Sequence, residues 1–248
     1  MKRTVTVMLM ACVFCLNICG QSKSRTLSII PKVGTNISNV TSNELFVQGD
    51  VTSNELFVQG DMALKSKSKA GLVFGLDAQY QVSDQCAVSL GVGYSRQGYR
   101  YGDCEYKVTS TEDYDVYEGM SDNHHNIDYL TVPLMVRGYV ARGLSVGVGV
   151  QCGFILDNKM KYETSAFNVY RDGSREYTTR SGVKEVEWGK SMLNSFDVSI
   201  PLSVAYEYSN VIVSASYNIG LRNVCKQTDG KNKVIMFTAG YKFDLCRL

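Results

Sequence analysis

Proline is nearly absent, with 3 residues in 248, so the chain holds few of the rings that interrupt a sheet ladder. Long apolar runs are absent as well. Past the N-terminus no stretch holds 18 consecutive apolar residues, which excludes a membrane-crossing helix there. Neither sign of charge dominates: Lys and Arg total 26, and Asp and Glu total 24. Such a balance gives no broad basic field of the kind nucleic acid attracts. The chain has 2 histidines. Beyond the N-terminal segment there is no C-x-x-C pair and no glycine-rich loop fit to cradle phosphate. What is plentiful is glycine (22) and tyrosine (16), with charged residues at 20%. Aromatic residues favour strands, and the low charge suits sheets with one apolar face.

The first 20 residues read as a signal peptide. Lys2 and Arg3 form the charged end, Thr4 to Ile18 the apolar stretch, and Gly20 a small residue suited to cleavage. The alternative, a lipoprotein cut at Cys12 after Leu9-Met10-Ala11, leaves a very short apolar stretch. Residues 21–248 are then one exported domain. Cleavage removes Lys2 and Arg3 and no acid, so the mature chain has 24 basic and 24 acidic residues.

The strongest signal is alternation with a period of two. Leu72, Phe74, Leu76, Ala78 and Tyr80 fall on one face, and Gly71, Val73, Gly75, Asp77, Gln79 and Gln81 on the other. Val88, Leu90, Val92 and Tyr94 oppose Ser89, Gly91, Gly93 and Ser95, and similar runs start at Leu144, Val198, Val211 and Ile235. Each is a half-buried strand by its period. Eight strands are predicted, near 26–38, 70–82, 86–101, 127–141, 144–157, 195–208, 211–222 and 233–244. The links after the second, fourth and sixth are tiny: Ser83-Asp84-Gln85, Arg142-Gly143 and Ser209-Asn210. Those after the first, third, fifth and seventh are long, about 39–69, 102–126, 158–194 and 223–232.

An even strand number with short turns at one end and long loops at the other marks an up-and-down barrel. Two proteins share that outline. A soluble carrier turns its apolar face inward, and a membrane barrel turns it out to lipid. The polar face here is mostly Gly, Ser, Gln and Asn, which fits the crowded interior of an eight-stranded barrel. It is poor in the Lys, Glu and Thr that a solvated exterior would carry. Aromatics mark both ends of the apolar face, with Tyr80, Tyr206, Tyr241 and Phe243 at the short-turn end and Tyr94, Phe154, Phe196 and Tyr217 toward the loops. Two such girdles suit two membrane interfaces. The predicted fold is therefore all-β: an eight-stranded antiparallel up-and-down transmembrane β-barrel with long extracellular loops.

The stretches Val33-Gly34-Thr35-Asn36-Ile37-Ser38, Tyr129-Leu130-Thr131-Val132-Pro133-Leu134, Val198-Ser199-Ile200-Pro201-Leu202 and Gly240-Tyr241-Lys242-Phe243 resemble the PorT-type small outer-membrane β-barrel proteins. The resemblance covers most of the mature chain and is one of pattern. It implies a barrel of eight strands in the outer membrane with both termini in the periplasm. Such barrels usually end on an aromatic residue that the assembly machinery reads, whereas here Phe243 is followed by Asp244-Leu245-Cys246-Arg247-Leu248. The secretion-linked role of the family's namesake is not carried over, because a fold does not fix a function.

Projected on the polar face, charges of both signs enter the lumen: Lys32, Asp77, Arg137, Asp197, Glu207, Arg222 and Lys242. In a narrow interior an unpaired charge is costly, so these predict a plug of ion pairs. A selectivity ring for ions is the alternative. Pro133 and Pro201, inside predicted strands, should each mark a bulge or a break in the ladder. His124 and His125 are adjacent, so on a strand they point to opposite faces and chelate poorly. No Ser-containing nucleophile motif accompanies them, so no catalytic residue, cofactor or metal ligand is assigned. The second long loop is acidic, with Asp103, Glu105, Glu112, Asp113, Asp115, Glu118 and Asp122 against Lys107, and reads as solvated. Within the third, Asp172-Gly173 between β-prone runs predicts a hairpin standing above the membrane, or else two further barrel strands, making ten. The segment Val40–Asp50 repeats identically as Val51–Asp61, a loop duplication of a kind that outer loops tolerate.

Five cysteines remain after cleavage: Cys86, Cys104, Cys152, Cys225 and Cys246. An odd, scattered set is neither a disulfide framework nor a zinc site. Export permits a bridge between Cys104 and Cys225, and two separate thiols are the alternative. The expected partners are outer-membrane lipid, the assembly machinery and an extracellular ligand or surface met by the loops, with the protein a monomer. The functions that fit are binding, adhesion or envelope structure. A small porin or solute channel is the second reading.

Overall fold

In a computed structural model the described residues are 24–41, 66–180, 182–187, 193–224, 226 and 230–247. The predicted signal peptide, most of the tandem repeat and Cys225 lie outside them. Twelve strands form one antiparallel sheet: β1 (Thr26–Val40), β2 (Ser66–Ser83), β3 (Cys86–Tyr101), β4 (Cys104–Ser110), β5 (Tyr114–Ala141), β6 (Leu144–Tyr170), β7 (Arg175–Arg180), β8 (Lys184–Glu187), β9 (Phe196–Tyr208), β10 (Val211–Asn223), β11 (Lys231–Tyr241) and β12 (Phe243–Arg247). Eight of them close a ring in the order β1-β2-β3-β5-β6-β9-β10-β11, with β11 pairing back onto β1. Closure removes the unpaired edges that an apolar environment could not satisfy. The C-terminal β12 continues β11 along β1, from Phe243↔Ile29 to Arg247↔Thr26.

The alternation sets the register and the faces. Leu72, Phe74 and Leu76 are 64%, 54% and 44% exposed, while Asp77 and Gln79, on the other face of the same strand, are 3% and 1% exposed. The apolar side therefore points outward all round the ring, and the small and charged side fills the middle, as in a barrel made for lipid. Aromatic pairs sit on that outer surface: Phe74 stacks on Tyr94 at 4.8 Å, and Phe154 meets Phe196 at 5.2 Å and Tyr241 meets Phe243 at 4.7 Å between ring centroids, both tilted.

The three short turns lie together at one end. Ser209 and Asn210 both take positive φ, at 46° and 71°, as a two-residue type I′ hairpin requires. Gly143 sits at φ 76°, where the lack of a Cβ removes the steric cost. Each proline falls at a two-pair gap in one ladder while the register on either side is unchanged. Pro133 has lost pairing with β3 between Leu90↔Leu134 and Gly93↔Thr131. Pro201 has lost it with β6 between Val148↔Leu202 and Gln151↔Ser199, and Pro31 has lost it between Ile29↔Phe243 and Lys32↔Gly240. Of the two outcomes expected for Pro133 and Pro201, the ladder breaks and no bulge forms. The missing N–H removes a bond without adding a residue.

The long links hold more strand than predicted. Beyond the ring, β5 and β6 stay paired as far as Tyr114↔Tyr170. At ~3.3 Å per residue the segment Tyr114–Tyr129 alone runs roughly 50 Å along the strand. β4 covers one edge of this ribbon, and β8 then β7 cover the other. The result is a four-stranded blade, β4-β5-β6-β7, standing on the loop end of the barrel. A register shift between Ser121 and His124, with Asp122 at φ 49°, marks a bulge at its base. Bulges add twist and re-aim a strand. The solvated acidic loop expected over 102–126 is thus corrected to β4 and the distal half of β5. The Asp172-Gly173 hairpin is present, with Gly173 at φ 85°, and its β7 arm joins the blade. Both arms lie outside the ring, so the strand count of the barrel is eight.

Candidate functional site

Two places in the molecule concentrate chemistry: the lumen and the blade. At the short-turn end of the lumen, Lys242 Nζ donates to Glu207 Oε1, and their side chains are 2% and 6% exposed. Tyr139 Oη lies 3.4 Å from Glu207 Oε2 and accepts from Gln79 Nε2 at 3.3 Å. Gln81 Nε2 continues the chain to the Ser83 carbonyl at 2.7 Å. Ile30, Ala205 and Ile212 pack beside this layer. A buried pair held by further hydrogen bonds leaves no bare charge at that end.

Midway, Lys32 Nζ donates to Asp77 Oδ2 at 2.7 Å. The glycines of the polar face make room for these long side chains. A Cβ on Gly91 would lie 2.1 Å from Asp77 Oδ1, and one on Gly75 would lie 3.3 Å from Lys32 Cε. One on Gly147 would lie 3.2 Å from Arg137 Cγ. A cavity of about 60 Å³ remains here, lined by Lys32, Asp77, Arg137, Gln151, Pro133 and Pro201 among others. The Arg137 Nε and Asp77 Oδ1 are buried without a protein partner among the described residues. A polar space of this size suits a water or two.

At the loop end the lumen is apolar. Tyr99, Ile127 and Tyr129 meet Leu193 and Val224, with Val40, Tyr101 and Ile155 packed around them. Leu193 and Val224 come from the two long links, tied by Asn194 N–H to the Val224 carbonyl at 2.9 Å. Below this lid Asn232 Nδ2 donates to Asp197 Oδ2 at 2.9 Å and to Tyr129 Oη at 3.2 Å. His125 faces inward, its Nδ1 2.8 Å from Tyr99 Oη, and burial pulls its pKa down to about 4. His124 faces outward beside Asp122, so the two rings lie on opposite faces, as adjacent strand residues must.

The blade is tied across its width. The Tyr117 and Phe167 rings stack at 5.6 Å and 9°, and Phe167 meets Tyr177 at 5.3 Å. Arg175 lies over Phe167 at 5.1 Å and reaches across to Glu105 on β4 at 3.1 Å. Arg171 donates to the Thr111 carbonyl at 2.6 Å and the Glu112 carbonyl at 3.1 Å, which pins the β6–β7 turn to the β4–β5 turn. Several acids of this region are engaged in such contacts. Hydrogen bonds from Ser110 and then Lys107 hold the Asp115 carboxyl below its usual range. Lys161 and Lys159 do the same for Glu185. Burial, then the bond to Glu118, pushes the Tyr106 hydroxyl up. The β4 and β7 edges have no strand beyond them among the described residues, and every residue of Arg175–Arg180 is exposed.

Of the seven charges predicted for the lumen, four form two pairs, Lys32–Asp77 and Lys242–Glu207. Asp197 is held by Asn232, and Arg137 borders the cavity. Arg222 stands apart. It is exposed at the rim, its guanidinium 5.6 Å from the centre of the Phe196 ring, where the β10–β11 register shifts between Ile219 and Asn223. Alternation alone missed Leu193 and Val224, which lie in irregular segments where no period exists to read. The free thiols among the described residues are Cys86, Cys104, Cys152 and Cys246.

A closed ring of eight strands, greasy outside and polar within, defines a transmembrane β-barrel protein. The family described as outer membrane protein beta-barrel domain matches residues 19–226, and the chain belongs to it. It is an outer-membrane protein. In fold it is similar to Ail, the attachment invasion locus protein of Yersinia pestis, at 14% identity over 88% of this chain and 99% of that one, with a TM-score of 0.41. It is also similar to the outer membrane protein OprG of Pseudomonas aeruginosa, at 13% identity over 92% and 100%, TM-score 0.39. Neisserial surface protein A matches at 13% identity over 88% and 97%, TM-score 0.37. No curated protein matches the sequence.

Proposed function

We propose that this is a non-enzymatic surface-binding protein whose barrel is a closed anchor and whose blade, facing outside the cell, holds the partner. The observation that carries the reading is the blade itself. It extends far beyond any length a bilayer needs, it is braced by Arg171 and Arg175, and it leaves two strand edges open. An open edge of a rigid sheet offers a row of N–H and C=O groups to an extended segment of a partner. The Lys242–Glu207 layer and the Tyr99–Ile127–Tyr129 lid support a barrel that does not conduct, since each blocks one end of a narrow lumen. The cavity between them favours the second reading, a small solute channel. The protein acts as a monomer, assembled into outer-membrane lipid by the cell's barrel-assembly machinery.

Two measurements test this. In planar bilayers the purified protein should give no steady conductance, and a stable open level would establish the channel instead. Cells displaying the protein should adhere to surfaces coated with extracellular-matrix proteins. Cells displaying a variant with the blade cut back to a short turn at its base should not, although the variant still migrates as a folded barrel on unheated gels. Equal adhesion by both would refute the blade as the binding element.

A further inference from the structure

Just past the lipid-facing residues Leu72, Tyr94 and Leu130, the outer face of β2, β3, β5 and β6 becomes basic. The pairing register lays Lys67 opposite Arg100, Arg100 opposite His124 and His124 opposite Lys161, one row across four strands. One step nearer the membrane, Arg96 binds Asp128 through two bonds of 2.8 and 3.0 Å. Between Arg96 and Arg100 on β3 stands Gly98, opposite Asn126. Lys69 of β2 crosses this gap and donates to Asn126 Oδ1, which brings its ammonium within reach of the charges of both Arg96 and Arg100. Of the nearby acids, Asp128 is engaged by Arg96, Glu185 by Lys161 and Lys159, and Asp157 by Lys159, while Asp122 lies beside His124. Lys67, Lys69 and Arg100 have no carboxylate partner among the described residues. The crowding has a cost: burial, then Arg96 and Arg100, pull the Lys69 pKa down to about 8. Cations in excess of their counter-charges mark a place that an anion would relieve.

We propose that this rim patch binds the phosphate groups of lipid headgroups in the outer leaflet, with Lys69 and Arg100 as the chief ligands and Lys67 and Lys161 beside them. Arg offers a planar fork to phosphate and Lys a mobile point charge. Lipid is the source because the patch faces sideways, on the same face as Tyr94 and Leu130, at the height where the apolar surface ends. The leaflet assignment rests on the loop end facing outside the cell. Binding by the purified protein does not, so failure of the one is distinguishable from failure of the other.

The test is native mass spectrometry of the refolded protein in detergent, titrated with lipid A carrying its phosphates and with the same lipid after their removal. The phosphorylated lipid should bind at least about tenfold more tightly. The variant Lys69→Gln/Arg100→Gln should lose that preference. Lys231→Gln/Lys233→Gln, with the same charge change on exposed positions of β11, should keep it. Inorganic phosphate in large excess should displace little lipid. Equal binding of the two lipids, equal loss in both variants, or full displacement by inorganic phosphate would each overturn the assignment. The comparison of the two lipids on the wild-type protein stands even where a variant fails to fold.

Discussion

Replacing Lys242 by Met should destabilise the barrel far more than a surface charge change. Among the described residues the ammonium is the one ion-pair partner of Glu207, and both side chains are almost wholly out of solvent. Removing one member of a buried pair leaves the other charge bare and costs about 3–5 kcal/mol. Tyr139 offers little relief, because its hydroxyl donates to the carboxylate only over a long 3.4 Å and carries no charge. Glu207→Leu alone should cost a similar amount. The double variant replaces two charges with apolar groups of similar volume, and such swaps are neutral or even stabilising in other proteins. The two losses should therefore not add: with the double variant near neutral, the coupling should approach the sum of the two single losses. The assay is urea unfolding in detergent, followed by the change in mobility of unheated samples. Single variants that each lose less than about 1 kcal/mol, or losses that add to within about 0.5 kcal/mol, would show that the pair is solvated like a surface bridge.

The same logic separates the mid-lumen cations. Lys32→Met should cost on the order of 3 kcal/mol by stranding Asp77, whereas Arg137→Met, which breaks no ion pair among the described residues, should be close to neutral in the same unfolding assay. Gly91→Val should cost about 1–3 kcal/mol, because a Cβ there meets Asp77 Oδ1 at 2.1 Å, and a mild effect would mean a loose lumen. Val92→Arg, in the middle of the lipid-facing surface, should cost about 2–4 kcal/mol, judged by unfolding from liposomes. Acid should loosen the blade before the barrel. Asp115 and Glu185 have carboxyl pKa values lower in the fold than unfolded, so their contribution is complete above about pH 4 and is lost as pH falls through the lowered values. Amide exchange in β4 and β8 should then rise at pH 3, with the barrel amides still protected.

The barrel was legible in the sequence because one physical rule governs its whole length. Lipid on one side and a crowded lumen on the other force alternation, and the predicted spans near 86–101, 144–157 and 211–222 start on the same residues as β3, β6 and β10. The two-residue link at Ser209-Asn210 was equally readable, while its type I′ geometry shows only in the positive φ of both residues. The blade was not, except for its Asp172-Gly173 hairpin. In water both faces of a sheet can be polar, so Tyr114–Asn126 and Asn158–Tyr170 carry no clean period, and their acids read as solvated loop. The lumen charges were found by parity, but parity cannot tell partners. It grouped Arg222 with residues buried near the axis because it knows nothing of the register shift that turns the end of β10 outward. Leu193 and Val224 join the loop-end cluster through tertiary contacts that no local pattern encodes.

The central claim is that the apolar face of each barrel strand meets lipid and the other face meets the lumen. Spin labels placed one at a time from Leu72 to Gln81, in a cysteine-free protein reconstituted in liposomes, test it directly. Lipid-borne oxygen should reach labels at 72, 74, 76 and 78 and be shielded from those at 73, 75, 77 and 79. The opposite phase, or no alternation at all, would contradict it.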